Sequence, residues 1–221
     1  EDGKASVKEQ AVVLGQKLTE IHPDDARAHA VFGDLLVSTG DNEGAVKAYL
    51  SSLKLDDSSF PAWQNLLQLE LQLNKISEVI EHSETALEIF PNQNTLYYYS
   101  GLANLQKRNY KAAIFALEQG KKLSSSSLDL VSVFNGLLGD AYNGSKEYGK
   151  SDQAYQAALD FDPNNYGVLN NYSYFLALRK DKLELAEKMA ERVVKANPDN
   201  ATYLDTFAWV LYCKGDYEEA K

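Results

Sequence analysis

The sequence is poor in the residues on which most small catalytic and metal sites depend. It has one cysteine and three histidines among 221 residues, and no CxxC pair or Cys/His cluster of zinc-ligand spacing. A lone Cys213 excludes an internal disulfide. Cations are also few: 22 Lys and Arg face 32 Asp and Glu, a net charge of -10. This balance disfavours nucleic acid and anionic membranes as general partners, since both need a basic footprint.

Long apolar runs are missing as well. No stretch approaches the ~18 consecutive apolar residues that a membrane helix needs, so we expect no direct membrane insertion in this segment. No signal peptide is visible, yet the chain begins without Met and ends at Lys221 inside a predicted helix. We therefore expect a piece of a longer protein, in which a missing targeting segment carries no information.

Small residues and prolines recur with a period of 34 residues. Gly33 and Gly101 lie 68 residues apart, as do Pro23 and Pro91, and 68 is twice 34. Residues 132–163 show one period: two amphipathic segments flank a turn, with a glycine inside the first segment and a proline after the second. This pattern predicts an all-α chain of helical hairpins, which bury their apolar faces only by stacking on neighbouring copies.

The period divides the chain into repeats of one continuous array over residues 1–221. Four extra serines, 124–127, interrupt it, and either a helix that starts one turn early or a flexible linker would accommodate them. The apolar residues that follow favour the helix, beginning near Leu128 with Ser127 as its N-cap. The predicted units are a half-repeat (6–25), five full repeats (26–59, 60–93, 94–131, 132–165 and 166–200) and a truncated repeat (201–221).

The pattern predicts particular packing residues within these units. In the half-repeat, we expect Ala11 and Leu18 to lie on the packing face. Of the consecutive tyrosines in repeat three, we expect Tyr97 in the core and Tyr98 on the opposite, open face.

These markers resemble a known family. The sequence fits the pattern W-x2-L-G-x2-Y…A-x3-F…A…P of the tetratricopeptide repeat, and the resemblance covers nearly every residue from Ser6 to Lys221. Repeat two departs from it, with Leu67 where glycine is expected and Ser83 where an aromatic residue is expected. The resemblance implies a right-handed superhelical solenoid of antiparallel helix pairs. The matching residues are Trp63, Gly101, Ala113, Tyr142, Tyr155, Ala158 and Pro163.

The last repeats carry a finer resemblance. Residues 168–177 and 201–212 are similar to the closing repeats of bacterial cell-envelope proteins of this family, which are often lipoproteins or periplasmic. The resemblance favours a periplasmic or outer-membrane-anchored location in a bacterium, with the cytoplasm as the alternative.

No motif for catalysis is found. His22, His29 and His82 are isolated in the sequence, and His29 occupies the slot that holds Trp63 in the next repeat, which indicates a packing role. Cys213 has no histidine partner at a recognisable spacing. We therefore predict no enzymatic activity, no cofactor and no metal.

The resemblance places partner binding on the first helix of each repeat. Positions 2, 5, 9 and 12 of each unit share one helix face, and in the family this stripe lines a concave groove. Asn and Gln can pair with the backbone of an extended peptide, and Tyr and Trp supply contact area with a polar tip. The alternative is a solvated stripe without a ligand. The candidate partner-binding residues are Arg27, Asp34, Gln64, Gln68, Tyr98, Asp140, Asn143, Asn170, Tyr174, Asp205, Trp209 and Tyr212.

One binding mode of the family does not fit. The clamp that holds a chaperone's C-terminal carboxylate needs several cations, but of its positions only Asn65 matches, and Asp34 would repel a carboxylate.

The favoured hypothesis is a non-catalytic scaffold that binds a segment of a partner protein in the groove between repeats three and six. Two alternatives stay open. The chain could be the non-catalytic arm of a larger envelope enzyme. It could also form homo-oligomers through its terminal helices, because a last helix without a capping partner would leave Phe207 and Leu211 uncovered.

Overall fold

The computed structural model describes the backbone of residues 2–220 and the side chains of residues 7–220. Within this range the chain forms twelve α-helices and no strand, which confirms the predicted all-α helical repeat array. Two compact units, residues 1–107 and 108–221, contain helices α1–α6 and α7–α12 respectively. The helices are α1 (Asp2–Ile21), α2 (Ala26–Thr39), α3 (Asn42–Leu55), α4 (Phe60–Gln72), α5 (Ile76–Ile89), α6 (Asn94–Gln106), α7 (Tyr110–Leu123), α8 (Leu128–Gly144), α9 (Tyr148–Phe161), α10 (Tyr166–Arg179), α11 (Leu183–Ala196) and α12 (Ala201–Lys214).

The hairpin of α2 and α3 shows how local sequence sets the helix ends. Asp25 precedes α2, and its carboxylate accepts a hydrogen bond from the backbone N–H of Arg27 at 2.9 Å. Gly40 ends the helix with φ of 85°, a left-handed conformation that glycine adopts without strain. Asp41 then caps α3 by accepting a hydrogen bond from the N–H of Gly44 at 2.9 Å. The short turn therefore places α2 and α3 side by side as an antiparallel pair.

The four extra serines lengthen a helix. Helix α8 begins at Leu128 and has 17 residues, whereas α9 and α10 have 14 each. The prediction of an early helix start is therefore confirmed, and the linker alternative is wrong. Ser127 is the residue before the helix, but its side chain makes no capping hydrogen bond, so its predicted capping contact is absent.

The two helices of a hairpin approach each other where the first one carries glycine. A methyl group added at Gly33 would lie 3.0 Å from the ring of Tyr49 on α3. At Gly139 on α8 it would lie 2.5 Å from the ring of Tyr155 on α9, which is buried. The two helices therefore approach closely at these glycines, where no larger residue fits without displacing a tyrosine.

Repeat two fills the corresponding space between its two helices with the sizes of the two side chains reversed. Its first helix has Leu67 at the glycine position, and its second helix has Ser83 sixteen residues later, the same spacing that separates Gly33 from Tyr49. Both Leu67 and Ser83 are fully buried. The large residue has moved to the first helix and the small one to the second, so the volume of the pair is roughly preserved.

Two sequence predictions about packing in the first unit are wrong. Leu18 is 37% exposed, and α1 instead presents Gly15, where an added methyl would lie 2.7 Å from Leu35. Tyr97 is only half-buried because its hydroxyl donates to the carbonyl of Pro91 at 3.1 Å, and Tyr99 is the tyrosine that joins the core. Both predictions misplaced the face of the helix that packs on the core. Successive residues of an α-helix lie about 100° apart around its axis, so an error of one residue in the assigned position turns a buried side chain into an exposed one.

The ends of the chain differ from each other. Leu211 on α12 is fully buried and Phe207 is partly buried against the core of the second unit, so the expectation that both lie uncovered is wrong. Helix α1 leaves the apolar side chains of Val7, Leu14 and Ile21 exposed along one side. Homo-oligomerisation through terminal helices stays a prediction, and α1 is the surface that would carry it.

None of the helices in the described range is long and apolar enough to cross a membrane.

A buried acid–histidine pair lies in the core of the first unit. Glu70 on α4 is 1% exposed, and one of its carboxylate oxygens lies 2.8 Å from Nδ1 of His82 on α5. The sequence analysis treated His82 as isolated, which is wrong. Its hydrogen bond to Glu70 raises the pKa of His82 above the usual 6.5, although burial acts in the opposite direction.

We expect Gly139→Ala to lower the free energy of unfolding by about 1–3 kcal/mol, because the new methyl collides with the ring of Tyr155. The matched control is Gly149→Ala in α9, where a methyl meets no atom within 4 Å and helix propensity predicts a gain of up to about 1 kcal/mol. Urea unfolding midpoints measure both. Equal stability of the two variants would contradict the close fit.

We expect Glu70→Gln to lower the pKa of His82, as followed by NMR titration of its ring protons. Because protonated His82 binds Glu70 in the folded chain, this stabilisation is complete below pH 6.5 and is lost as the pH rises through the higher folded pKa. Urea unfolding at pH 6 and pH 9 should therefore show a greater loss of stability with rising pH in the native chain than in Glu70→Gln. An unchanged pKa of His82 in the variant would show that the pair is not coupled.

Candidate functional site

The predicted groove residue Asp34 takes part in a contact between two repeats. Its carboxylate accepts a hydrogen bond from the hydroxyl of Tyr49, the tyrosine that packs on Gly33. The same hydroxyl accepts a hydrogen bond from the side-chain amide of Asn65, on the first helix of the next repeat, at 3.2 Å. Asp34 is therefore exposed, as the sequence analysis expected, but one of its carboxylate oxygens is already engaged within the chain.

The second unit brings together the same three residue types at the same residue spacing, but there the asparagine donates to the aspartate instead of the tyrosine hydroxyl. Tyr155, which packs on Gly139, donates its hydroxyl to Asp140 at 2.5 Å, and the amide of Asn171 donates to Asp140 at 3.2 Å. Burial raises the pKa of Asp140, although both hydrogen bonds favour its charged form. Burial and the nearby charge of Asp140 also raise the pKa of Tyr155 well above its usual value. We call each set of Asp, Tyr and Asn an anchor.

The sequence analysis did not predict the anchors, although the spacing of their residues is visible in the sequence. Each begins with a Gly-Asp dipeptide, followed by Tyr 15 residues after the aspartate and Asn 31 residues after it. Asn65 and Asn171 sit just beside the predicted stripe and were not assigned to it. The anchors hold consecutive first helices in register, which fixes the spacing of the stripe residues.

A cleft of about 190 Å³ lies at the inner stripe of the first unit. It brings together Asp34 and Gln68 from the predicted set with residues that sequence reasoning did not include. Its lining combines one carboxylate and three amides with a tyrosine and two aliphatic side chains. The lining residues are Asp34, Val37, Tyr49, Asn65, Gln68, Leu69 and Gln72.

The other predicted residues of the first unit lie outside this cleft. Arg27 is exposed and weakly paired with Asp25, Nε to Oδ1 at 3.9 Å. Gln64 is half-buried, and Tyr98 packs partly against the core with its ring edge-to-face on Tyr99. The structure therefore gathers two of the five predicted side chains of this unit.

Two predicted asparagines of the second unit have a buried amide oxygen that accepts no hydrogen bond from the described chain. Asn143 is half-buried near the end of α8. Asn170 on α10 is only 7% exposed, so the expectation of an open groove side chain is wrong at this position. Its burial follows from the tight packing of α8 on α10, where a methyl added at Gly136 would lie 2.9 Å from Val168.

The last four predicted residues meet in one cleft of the second unit, which we call the aromatic cleft. It has a volume of about 510 Å³ and lies between the inner faces of α10 and α12. The rings of Trp209 and Tyr212 are stacked with centroids 5.7 Å apart. Leu178 and Ala208, which sequence reasoning did not assign, share the faces of the predicted residues at helical spacing. The lining residues are Tyr174, Leu178, Asp205, Ala208, Trp209, Tyr212 and Ala220.

Comparison with known families identifies the repeats. The tetratricopeptide repeat model matches residues 26–59 and 134–165, the two segments that contain the Gly-Asp dipeptides and their tyrosines. Over these two segments the chain matches the tetratricopeptide repeat.

Related tetratricopeptide repeat proteins are distant in sequence. The chain is 25% identical over 138 residues to the protein SGT1 homolog of Bos taurus, covering 62% of this chain and 40% of the relative. It is 22% identical over 195 residues to the TPR repeat-containing protein PA4667 of Pseudomonas aeruginosa, covering 88% of this chain and 32% of the relative. The chain thus spans well under half the length of each of these curated relatives.

Solved structures share the fold. YrrB, described as a TPR protein with an unusual peptide-binding site, superposes with a TM-score of 0.67 at 20% identity, covering 86% of this chain and 95% of YrrB. Tetratricopeptide repeats are in general non-catalytic scaffolds that bind proteins or peptides. In the described part of this chain, no group of three or more His, Cys, Asp or Glu is placed to hold a metal ion.

The fourth position of the tetratricopeptide repeat has a structural role in this chain. His29, Trp63 and Tyr97 occupy it in three successive repeats, and each contacts the backbone carbonyl six residues earlier at 2.8–3.1 Å. This contact ties the start of each first helix to the turn before it, and it confirms a packing role for His29.

We expect Tyr155→Phe to lower the free energy of unfolding by about 1–3 kcal/mol, because half-buried Asp140 loses its closest donor. Asp140→Asn combined with Tyr155→Phe should cost less than the sum of the two single variants, since the hydroxyl and the carboxylate act as a pair. Tyr217→Phe, at an exposed phenol, is the control. Additive losses in urea unfolding would contradict the anchor.

Proposed function

We propose that this protein is a non-catalytic scaffold whose first helices bind a segment of a partner protein along their inner stripe. The observation that carries the proposal is the aromatic cleft, where four independently predicted groove residues converge. A half-exposed tryptophan and two tyrosines gathered in a concavity are the side chains that dominate protein interfaces.

The neighbouring polar groups suit an extended peptide. In the second unit, Asn143 is half-buried, and its side-chain amide is a group that can pair with the backbone of a partner segment. In the first unit, the amides of Gln68 and Gln72 line a separate cleft. Amides recognise backbone in any sequence, whereas the aromatic rings select side chains.

The comparison with YrrB supports a peptide ligand by analogy of fold, since that protein has a peptide-binding site on the same repeat architecture. Because the chain spans only part of its curated relatives, the proposal concerns this segment and not any activity of a whole protein.

A phage-displayed library of random dodecapeptides, selected on the immobilised full chain, tests the proposal. We expect Trp209→Ala and Tyr174→Ala each to weaken binding of the selected peptides by more than ~1 kcal/mol, measured by fluorescence anisotropy. Each truncation removes a ring that supplies contact area in the cleft.

The control is Phe115→Ala, which removes a more exposed ring on α7 outside the aromatic cleft and should leave affinity unchanged. Urea unfolding of every variant separates lost binding from lost folding. Selection of no peptide above background, or peptides that bind all three variants equally well, would rule out the aromatic cleft as the site.

A further inference from the structure

The charge that lines the aromatic cleft is negative. Asp205 is the charged residue among those that line it, and no Lys or Arg does. Asp205 lies one helical turn before Trp209 and two turns before Tyr212, so the carboxylate and both rings share one face of α12. No ion pair joins Asp205 to a cation of the described chain, and Lys214 on the same helix is already paired with Glu187 at 2.8 Å.

The rings beside this carboxylate are partly exposed to solvent. Trp209 and Tyr212 are 38% and 56% exposed, and they stack on each other with their planes inclined by 20°, so the faces that point away from the stack are the ones a ligand could reach. The face of an aromatic ring carries partial negative charge and attracts cations, most strongly for tryptophan. The carboxylate and the rings therefore favour the same kind of ligand group.

The second unit already uses this interaction elsewhere with its own cations. The guanidinium of Arg179 lies 4.8 Å from the centroid of the Tyr148 ring, and the ammonium of Lys150 lies 5.3 Å from that of Tyr142. Within the described chain, Trp209 and Tyr212 have no such cation. The aromatic cleft thus offers an acidic, ring-lined position to a cation from outside the chain.

We propose that the aromatic cleft is specific for a partner segment that carries an arginine or lysine. The cationic group lies on the rings of Trp209 and Tyr212 with its charge directed to Asp205, and an adjacent apolar side chain of the partner packs on Leu178. This inference rests on the proposed function, since it names the kind of segment that the scaffold binds.

Peptide mixtures in which only the central residue is fixed test this specificity. The probe is a set of acetylated and amidated heptapeptides with Arg, Lys, Gln, Glu or Leu at the central position and random residues elsewhere, retained on the immobilised full chain and quantified by mass spectrometry. We expect peptides with central Arg or Lys to be enriched about fivefold or more over those with Gln, and those with Glu to be the least retained.

Two matched substitutions separate the carboxylate from general charge effects. Asp205→Asn should reduce the enrichment of Arg and Lys about two- to fivefold, because it removes the carboxylate and keeps its shape. Asp199→Asn makes the same change at an exposed site outside the cleft, and should leave the enrichment unchanged.

The outcomes distinguish the two proposals. If peptides are retained through Trp209 but without preference for Arg and Lys, or with the same preference in Asp205→Asn, the inference is overturned and the proposed function stands. Enrichment of Glu or Leu at the centre overturns the inference as well. If no peptide is retained, whatever its central residue, both proposals fail.

Discussion

The close approach of the two helices in a hairpin is the constraint on which the rest of the structure depends. Gly33 and Gly139 leave room for a tyrosine ring of the second helix to lie directly against the first. The ring positions its hydroxyl beside the aspartate that follows the glycine, and an asparagine of the next repeat completes the contact in both units. One packing fit thus fixes the hairpin, the polar anchor and the spacing to the next helix.

This constraint decides which stripe residues remain available to a partner. In the second unit, the anchor engages Asp140 and tight packing buries Asn170, so these two predicted stripe residues are structural. The side chains left accessible are the rings and Asp205 of the aromatic cleft. Asp205 differs from Asp140 because no tyrosine hydroxyl of the chain donates to it. Its carboxylate is therefore available to a partner, whereas that of Asp140 holds neighbouring helices together.

Much of the fold follows from sequence because it depends on local periodicity. The 34-residue period predicts helical hairpins, and the apolar residues after the serine run predict the start of α8 at Leu128. Residues of the aromatic cleft could also be predicted, since the family resemblance implies the stripe positions at which Tyr174, Asp205, Trp209 and Tyr212 lie, and helix geometry puts the positions of each repeat on one face.

What the sequence did not predict are contacts between side chains of different helices. The Glu70–His82 pair joins residues twelve apart on adjacent helices, and neither residue type signals its partner. The exposure of Leu18 and the burial of Leu211 depend on which neighbouring helix is present on each side. Such features arise from the assembled core and have no periodicity of their own.

Amide hydrogen exchange with and without a selected peptide tests the central claim most directly, because it reports each helix separately. If the first helices carry the binding surface and the second helices only support it, bound peptide slows exchange in α10 and α12 and leaves α9 and α11 unchanged. Slowed exchange confined to α9 and α11 would place the partner on the opposite face and contradict the account.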